Sequence, residues 1–176
     1  KEKLKIENIL KNLGYYNSNI DVLIEQKENN LIIITYDIDL GKKSKIKKIT
    51  FIGKKVFKDK KLRSIITSSE YKFWKVISGR KYLNQNSIFF DERLLKNFYK
   101  NNGFYNVVIN SSFAKLVDEN DFELIFNIDA GSKIFFGNLD LDLPLDFEAK
   151  NFAPINKLFK KVKGKPYSIN IIDKIL

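Results

Sequence analysis

Apolar residues recur at every second position near the middle of the chain. Phe122, Leu124, Phe126 and Ile128 share one side of an extended segment, while most of the residues between them are polar. This period of two predicts a β-strand with one buried face. The polar run 118–121 separates it from an alternating segment over 106–116, so the pair is predicted to form a hairpin. A second hairpin is predicted from 17–24 and 31–39.

Helical periodicity precedes each hairpin. Leu95, Phe98 and Tyr99 form an apolar stripe that ends before Gly103, and Asp91 is the residue we expect to cap the start of that helix. A similar stripe, 6–13, ends before Gly14. Glycine after an apolar stripe is a common helix C-terminus, so both helices are predicted to stop there.

A further strand and a short helix are predicted before the apolar stripe that contains Leu95. Ile49 and Phe51 alternate with polar residues over 45–53, and Gly53 ends the strand. Asp59 is then a predicted N-cap for a helix whose apolar side carries Leu62 and other residues at helical spacing. The order of elements is therefore strand, helix, helix, strand, strand.

This order repeats along the chain. The sequence Gly-Tyr-Tyr-Asn at 14–17 matches Gly-Phe-Tyr-Asn at 103–106, an offset of 89 residues. We predict the C-terminal half of a module in 1–42, a complete module in 43–132 with an insertion near 70–85, and the N-terminal half of a further module in 133–176. In that last part, Leu139, Leu141 and Leu143 predict the first strand, and a helix beginning at Pro154 follows.

The predicted fold class is α+β. Each module is a β-α-α-β-β unit in which two helices cover one face of a three-stranded mixed sheet. Only about four residues, 42–45, separate one module from the next, so the angle between neighbours is expected to be restricted.

The amino-acid composition excludes several kinds of catalytic and metal-binding site. The 176 residues include no Cys, His or Met, which excludes Ser-His and Cys-His nucleophiles and the usual zinc or copper ligands. The carboxylates at 118–121 and at 140–146 lack the spacing of a calcium loop. No convergent set of catalytic residue types is present, so we predict a protein that is not an enzyme and has neither a metal site nor a cofactor.

The net charge of +11 raises the possibility of nucleic-acid binding. Arginine, which nucleic-acid readers favour, occurs only at Arg63, Arg80 and Arg93; the other members of the 32 basic residues are lysines scattered through every segment. A basic nucleic-acid-binding α+β module is therefore kept only as the less favoured alternative, and no nucleic-acid partner is predicted.

The motifs resemble those of the POTRA repeats of outer-membrane β-barrel assembly proteins. The segment 45–53 followed by Val56 and Phe57 is similar to the opening of a POTRA module, although Lys54 stands where the family usually has Asn. The glycine-aromatic turn at Gly103 and the closing sequence 128–131 also resemble the family. The Trp-bearing insertion suggests the third module of an assembly factor, with the end of the second before it and the start of the fourth after it.

The resemblance implies a protein-binding role. It implies a periplasmic arm, attached to the outer membrane through a C-terminal membrane β-barrel absent from this chain, that receives unfolded outer-membrane proteins and binds accessory lipoproteins. A related translocation or secretion transporter with POTRA modules is the alternative within the family. Backbone pairing of an incoming strand with a sheet edge, called β-augmentation, is the expected mechanism.

Five residues are the predicted partner-binding set. Four belong to the first strand of the second hairpin, which lies at the sheet edge in POTRA modules: Val107, Ile109, Ser111 and Phe113. The alternative is that alternate members of this strand line the core. The fifth is Trp74, which could anchor a partner or could pack the insertion onto its own module.

Overall fold

The computed structural model describes residues 1–73 and 79–175. Its helices and strands follow one another along the chain in this order: α1 (Glu2–Asn12), β1 (Asn19–Lys27), β2 (Leu31–Asp39), β3 (Lys45–Lys54), α2 (Asp59–Arg63), α3 (Gln85–Lys100), β4 (Val108–Asp118), β5 (Asp121–Asp129), α4 (Ala153–Val162) and α5 (Ile169–Ile172). Short 3₁₀ turns occupy Gly79–Lys81 and Ala149–Phe152.

A three-stranded mixed sheet forms the centre of the molecule. Its strand order is β3-β5-β4, with β5 parallel to β3 and antiparallel to β4. Helix α2 packs against β3 and helix α3 against β4, and side chains of both helices join the main hydrophobic core. The predicted α+β unit, with two helices on a three-stranded mixed sheet, is confirmed.

The period of two in β5 is the basis of this core. Phe122, Leu124, Phe126 and Ile128 are buried, whereas the residues between them are partly exposed. Phe51 of β3 stacks on Phe126 with ring centroids 5.6 Å apart. Burial of aromatic and aliphatic side chains contributes roughly 1.5–3 kcal/mol each, so this stripe stabilises the sheet substantially.

Gly53 is the second-last residue of β3, where it pairs with Ile128 of β5. Its φ of +83° is a conformation that other residues rarely adopt. A Cβ at this position would lie 2.5 Å from the carbonyl oxygen of Ile128. The position therefore requires glycine both for its backbone conformation and for the close approach of the neighbouring strand.

The predicted start of the long helix is wrong. Helix α3 begins at Gln85, and the side chain of Asn84 caps it by accepting a hydrogen bond from the Ser87 N–H at 2.9 Å. The apolar stripe reaches back to Ile88, so the helix is longer than the one predicted from Asp91. Asp91 is a buried residue inside α3. Asp59 is likewise the first residue of α2 and not its cap.

The strand predicted from Leu139, Leu141 and Leu143 is not formed. In the central sheet, β3 is held by pairing with β5, which comes later in the chain. No strand in 1–73 or 79–175 pairs with 139–143, so the segment lacks the hydrogen-bonding partner that a strand requires. The helix predicted at Pro154 is confirmed as α4.

The first hairpin stands apart from the central sheet. Strands β1 and β2 form a separate two-stranded sheet in which Ile20 is buried and most other apolar side chains are exposed. The hairpin of the central sheet has its apolar face covered by helices, so the two copies of this motif are both antiparallel but differ in burial.

Candidate protein-binding edge of the sheet

Strand β4 forms one edge of the central sheet. Strand β5 is the middle strand, so β4 pairs on one side only. The opposite edge belongs to β3. A sheet edge displays unpaired N–H and C=O groups that can pair with another chain, so both edges are candidate sites for strand addition.

Two of the predicted contact residues lie in the core. Val107 immediately precedes β4 and is 7% exposed, and Ile109 is 5% exposed. Both side chains belong to the main hydrophobic cluster. For these two positions the structure agrees with the alternative that alternate members of the strand line the core.

A register irregularity follows these two residues. Ile109 pairs with Ile128, whereas Ser111 pairs with Asn127, so Asn110 has no partner of its own. A bulge of this kind inserts one residue and shifts the alternation of the strand. The uniform alternation assumed from 107 to 113 is therefore interrupted.

The side chains of Ser111 and Phe113 lie outside the described part of the structure, and Trp74 lies outside the described residues altogether. The backbone register of β4 is described. It places Phe113 opposite Ile125 of β5.

The direction of the backbone groups in β4 follows from the parallel pair. The Ala130 N–H donates to the Lys54 carbonyl at 3.0 Å, so residue 130 and the even-numbered residues before it in β5 direct their backbone groups toward β3. The odd-numbered residues face β4 and bond to their register partners Ser111, Phe113 and Lys115. Ser112, Ala114 and Leu116 consequently present their N–H and C=O groups at the outer edge.

This outer edge of β4 is open within 1–73 and 79–175. No described residue outside β5 forms a hydrogen bond to the backbone of Val108–Asp118. Three apolar side chains along or at the ends of the strand are about half exposed: Val108, Leu116 and Val117. The edge therefore combines free backbone groups with apolar surface.

The edge of β3 is closed at its centre by two charged side chains. The Ile49 N–H donates to Glu70 Oε1 at 3.0 Å, and the Ile49 carbonyl accepts from Arg63 Nη2 at 2.8 Å. Arg63 Nε lies 3.5 Å from Glu70 Oε1, so the two side chains also pair with each other. Neither residue was singled out from the sequence, because nothing in their spacing marks an edge contact.

The ends of the β3 edge are also occupied. The Tyr71 N–H donates to the Ile46 carbonyl at 2.6 Å, and the Leu83 N–H donates to the Ser44 carbonyl at 2.9 Å. At the other end, Lys55 Nζ donates to the Phe51 carbonyl at 2.9 Å. Tyr71 and Leu83, which both belong to the insertion predicted near 70–85, thus cover part of the β3 edge, and the two sheet edges differ in accessibility.

The solvent-facing side of the sheet carries paired charges. Glu123 accepts a hydrogen bond from the Thr50 hydroxyl at 2.5 Å and lies 3.3 Å from Lys48 Nζ. The Thr50 hydrogen bond and then Lys48 lower the pKa of the Glu123 carboxyl below its ordinary value. The Lys48 charge is thus paired with a carboxylate, which is unlike a surface built for nucleic acid.

No group of three or more metal-ligating side chains converges among the described residues. None of the helices in this part of the chain combines the length and the hydropathy that a membrane-spanning helix requires.

Residues 44–131 match the POTRA family, described as a surface antigen variable number repeat. This match covers half of the chain, and the chain belongs to the POTRA family.

Two curated relatives are outer membrane protein assembly factors named BamA. The chain is 24% identical over 155 residues to the protein from Neisseria meningitidis serogroup B, covering 88% of this chain and 19% of the relative. It is 25% identical over 154 residues to the protein from Buchnera aphidicola subsp. Acyrthosiphon pisum, covering 87% of this chain and 24% of the relative. The chain spans about a fifth to a quarter of the length of these relatives.

The fold is similar to that of a solved structure. The crystal structure of Haemophilus influenzae BamA POTRA3-5 matches with a TM-score of 0.55 and 15% identity, covering 99% of this chain and 66% of that chain. The predicted resemblance to POTRA repeats of an assembly factor is confirmed by the family match and these relatives.

Proposed function

We propose that this chain is the periplasmic protein-binding arm of an outer-membrane β-barrel assembly machine. It receives unfolded outer-membrane proteins by β-augmentation and scaffolds accessory lipoproteins, while a C-terminal membrane β-barrel performs insertion. The observation that carries the client-binding part is the open edge of β4 in a chain of the POTRA family.

Backbone pairing suits a receptor for many clients. An incoming strand would bond to the outward N–H and C=O groups of Ser112, Ala114 and Leu116, which do not depend on the client's side chains. Each such hydrogen bond contributes only about 0.5–1.5 kcal/mol, so binding is weak and reversible. The exposed Leu116 and Val117 side chains add apolar contact.

Proline at the outer edge tests this function. Ala114→Pro and Leu116→Pro each remove one outward N–H without removing a bond to β5, because edge strands tolerate proline on the solvent side. The matched controls Ala114→Ser and Leu116→Thr change the side chain and keep the N–H. The probe is a synthetic peptide with the sequence of one strand of an outer-membrane β-barrel.

Binding is followed by chemical-shift changes of the β4 backbone amides, since the first hairpin also has free edges. We expect each proline variant to weaken peptide binding about 2- to 10-fold, which corresponds to the loss of one hydrogen bond. The control variants should bind like the parent. Equal affinity in all variants, with unchanged circular dichroism, would show that β4 does not pair with clients.

The lipoprotein-scaffolding part of the proposal includes Trp74 as an anchor. Large aromatic side chains are enriched among residues that dominate interface energies. Trp74→Ala is expected to weaken capture of an accessory lipoprotein by this chain while leaving β4 peptide binding unchanged.

A further inference from the structure

Both edges of the central sheet, β3 and β4, have backbone N–H and C=O groups that β5 does not pair. They differ in the residues that lie against them. Strands β3 and β4 are of similar length and both pair with β5 on one side only. An unprotected β3 would accept an incoming strand as readily as β4, and it would also pair with β3 of a second copy. A module with one receiving edge therefore needs a device that closes the other.

Arg63 and Glu70 supply that device at Ile49. In an antiparallel ladder, a paired residue donates its N–H to a carbonyl and accepts from an N–H of the neighbouring strand. Here the Glu70 carboxylate takes the place of the carbonyl and the Arg63 guanidinium takes the place of the N–H, at 3.0 and 2.8 Å. The pair supplies both bonds that a strand would supply.

The chain segment that carries Glu70 is itself held by hydrogen bonds to α3 and to β3. Buried Asp91 accepts hydrogen bonds from the N–H of Thr67 at 2.6 Å and from the N–H of Ser68 at 3.1 Å. The Tyr71 N–H then bonds to Ile46 of β3 at 2.6 Å. Glu70 lies between these two anchoring points, so its carboxylate is held at the edge.

We propose that Arg63 and Glu70 are specificity-determining residues that close the β3 edge and leave β4 as the receiving edge of the module. Where it concerns clients, this proposal rests on the proposed function. Closure of β3 against a second copy of the chain does not require a client, so the closure of β3 and the proposed function can be disproved separately.

The test uses the double variant Arg63→Ala/Glu70→Ala, which removes one positive and one negative charge. The matched control is Lys48→Ala/Glu123→Ala, which removes the same charges from an ion pair on the face of the sheet. Both are made with Ile52→Cys, an exposed position on β3 in a chain that has no other cysteine. The probe is the strand peptide with one central cysteine.

Three measurements report on the edge. The Ile49 amide is expected to exchange with solvent at least about tenfold faster in the double variant, because its acceptor is gone. Disulfide formation at Ile52→Cys, with the peptide or with a second copy, is expected to rise by a similar factor. Addition of peptide should restore protection of the Ile49 amide. The control should behave like the parent in all three.

Unchanged disulfide formation in a folded double variant overturns the proposal, whether or not β4 binds peptide. If the double variant does not fold, Glu70→Ala is compared with Glu70→Gln, since Gln keeps an oxygen acceptor for Ile49. Faster Ile49 exchange and β3 crosslinking in the alanine variant alone support the proposal, and equal behaviour of the two overturns it.

Discussion

At the scale of single residues, Tyr99 makes the stability of the core depend on pH. Its side chain is fully buried, and its hydroxyl donates a hydrogen bond to the Lys55 carbonyl. The ring lies in an aromatic group with Phe57 and Phe104. Burial raises the pKa of Tyr99 from 10.0 to about 12, because the phenolate is disfavoured away from water.

This raised pKa predicts a loss of stability at alkaline pH. Below pH 10 the phenol is protonated in both states, and the full stability is present. Between pH 10 and about 12 the unfolded chain loses the proton while the folded chain keeps it, so the free energy of unfolding falls as pH rises. Urea unfolding at a series of pH values, with tyrosinate absorbance recorded in parallel, measures the effect.

Tyr99→Phe serves as the control for the pH effect. It lacks the hydroxyl, so it should be less stable than the parent at neutral pH and should lose less stability between pH 10 and 12. A smaller alkaline dependence remains in this variant, because burial also raises the pKa of Tyr16. The same pH slope in variant and parent would contradict the assignment to Tyr99.

At the scale of elements, Asn84 has two roles at the start of α3. Its Oδ1 caps the helix by accepting from the Ser87 N–H, and its Nδ2 donates to the Asn12 carbonyl at the end of α1. Asn84→Ala is expected to cost about 0.5–2 kcal/mol of stability, the usual range for a lost cap. Asn84→Asp keeps the cap and loses the donor to Asn12, so it should cost less.

Urea unfolding of the parent and the two variants measures this difference. The control is Asn86→Ala, two residues further along the same helix, which removes an amide side chain without removing the cap. If Asn84→Asp and Asn84→Ala lose the same stability, the contact with Asn12 is the larger contribution, and the capping explanation is wrong.

The elements that the sequence predicted well are those in which one physical rule dominates. The alternation in β5 survives because its even-numbered side chains from Phe122 fill the core, and α3 stops before Gly103 because a left-handed residue follows it. The start of α3 was misplaced because both Asn84 and Asp91 are good caps, and the choice between them depends on tertiary contacts. Asp91 is instead bonded to Thr67 and Ser68, which no local pattern reveals.

The candidate edge was predictable as a strand but not in its details. Alternation cannot locate the bulge at Asn110, because a polar run of Asn and Ser fits either register. The closure of the β3 edge also could not be predicted from the sequence. It depends on Arg63 and Glu70 meeting at Ile49, and isolated opposite charges seven residues apart are common in a chain with this many lysines.

At the scale of the whole molecule, the same pair of hydrogen bonds occurs at both junctions between repeats. At the first, the Ser44 N–H donates to the Gly14 carbonyl at 2.8 Å and the Ser44 carbonyl accepts from Leu83. At the second, the Ile134 N–H donates to the Gly103 carbonyl at 2.8 Å, and the Ile134 carbonyl accepts from Tyr167 at 3.0 Å. These bonds support the prediction that neighbouring repeats are held at a restricted angle.

The two junction glycines differ in the space around them. Gly14 and Gly103 have φ values of +94° and +95°, so alanine at either position carries a similar backbone strain. A Cβ on Gly103 would lie 3.1 Å from the Ile134 carbonyl oxygen, whereas a Cβ on Gly14 would have nothing closer than 3.4 Å. Gly14→Ala is therefore a matched control for the steric effect of Gly103→Ala.

Gly103→Ala is expected to displace the second junction, because the added methyl group presses on the linker that carries Ile134. Both variants should lose about 1–2 kcal/mol from strain, and Gly103→Ala should lose roughly 1–3 kcal/mol more. Spin labels on cysteines at Lys60 and Lys157, read by pulsed electron resonance, should show a shifted or broader distance distribution across that junction. Labels at Lys3 and Lys60 should show no such change for Gly14→Ala. A distance distribution in Gly103→Ala that matches the parent would mean that these hydrogen bonds do not set the angle between repeats.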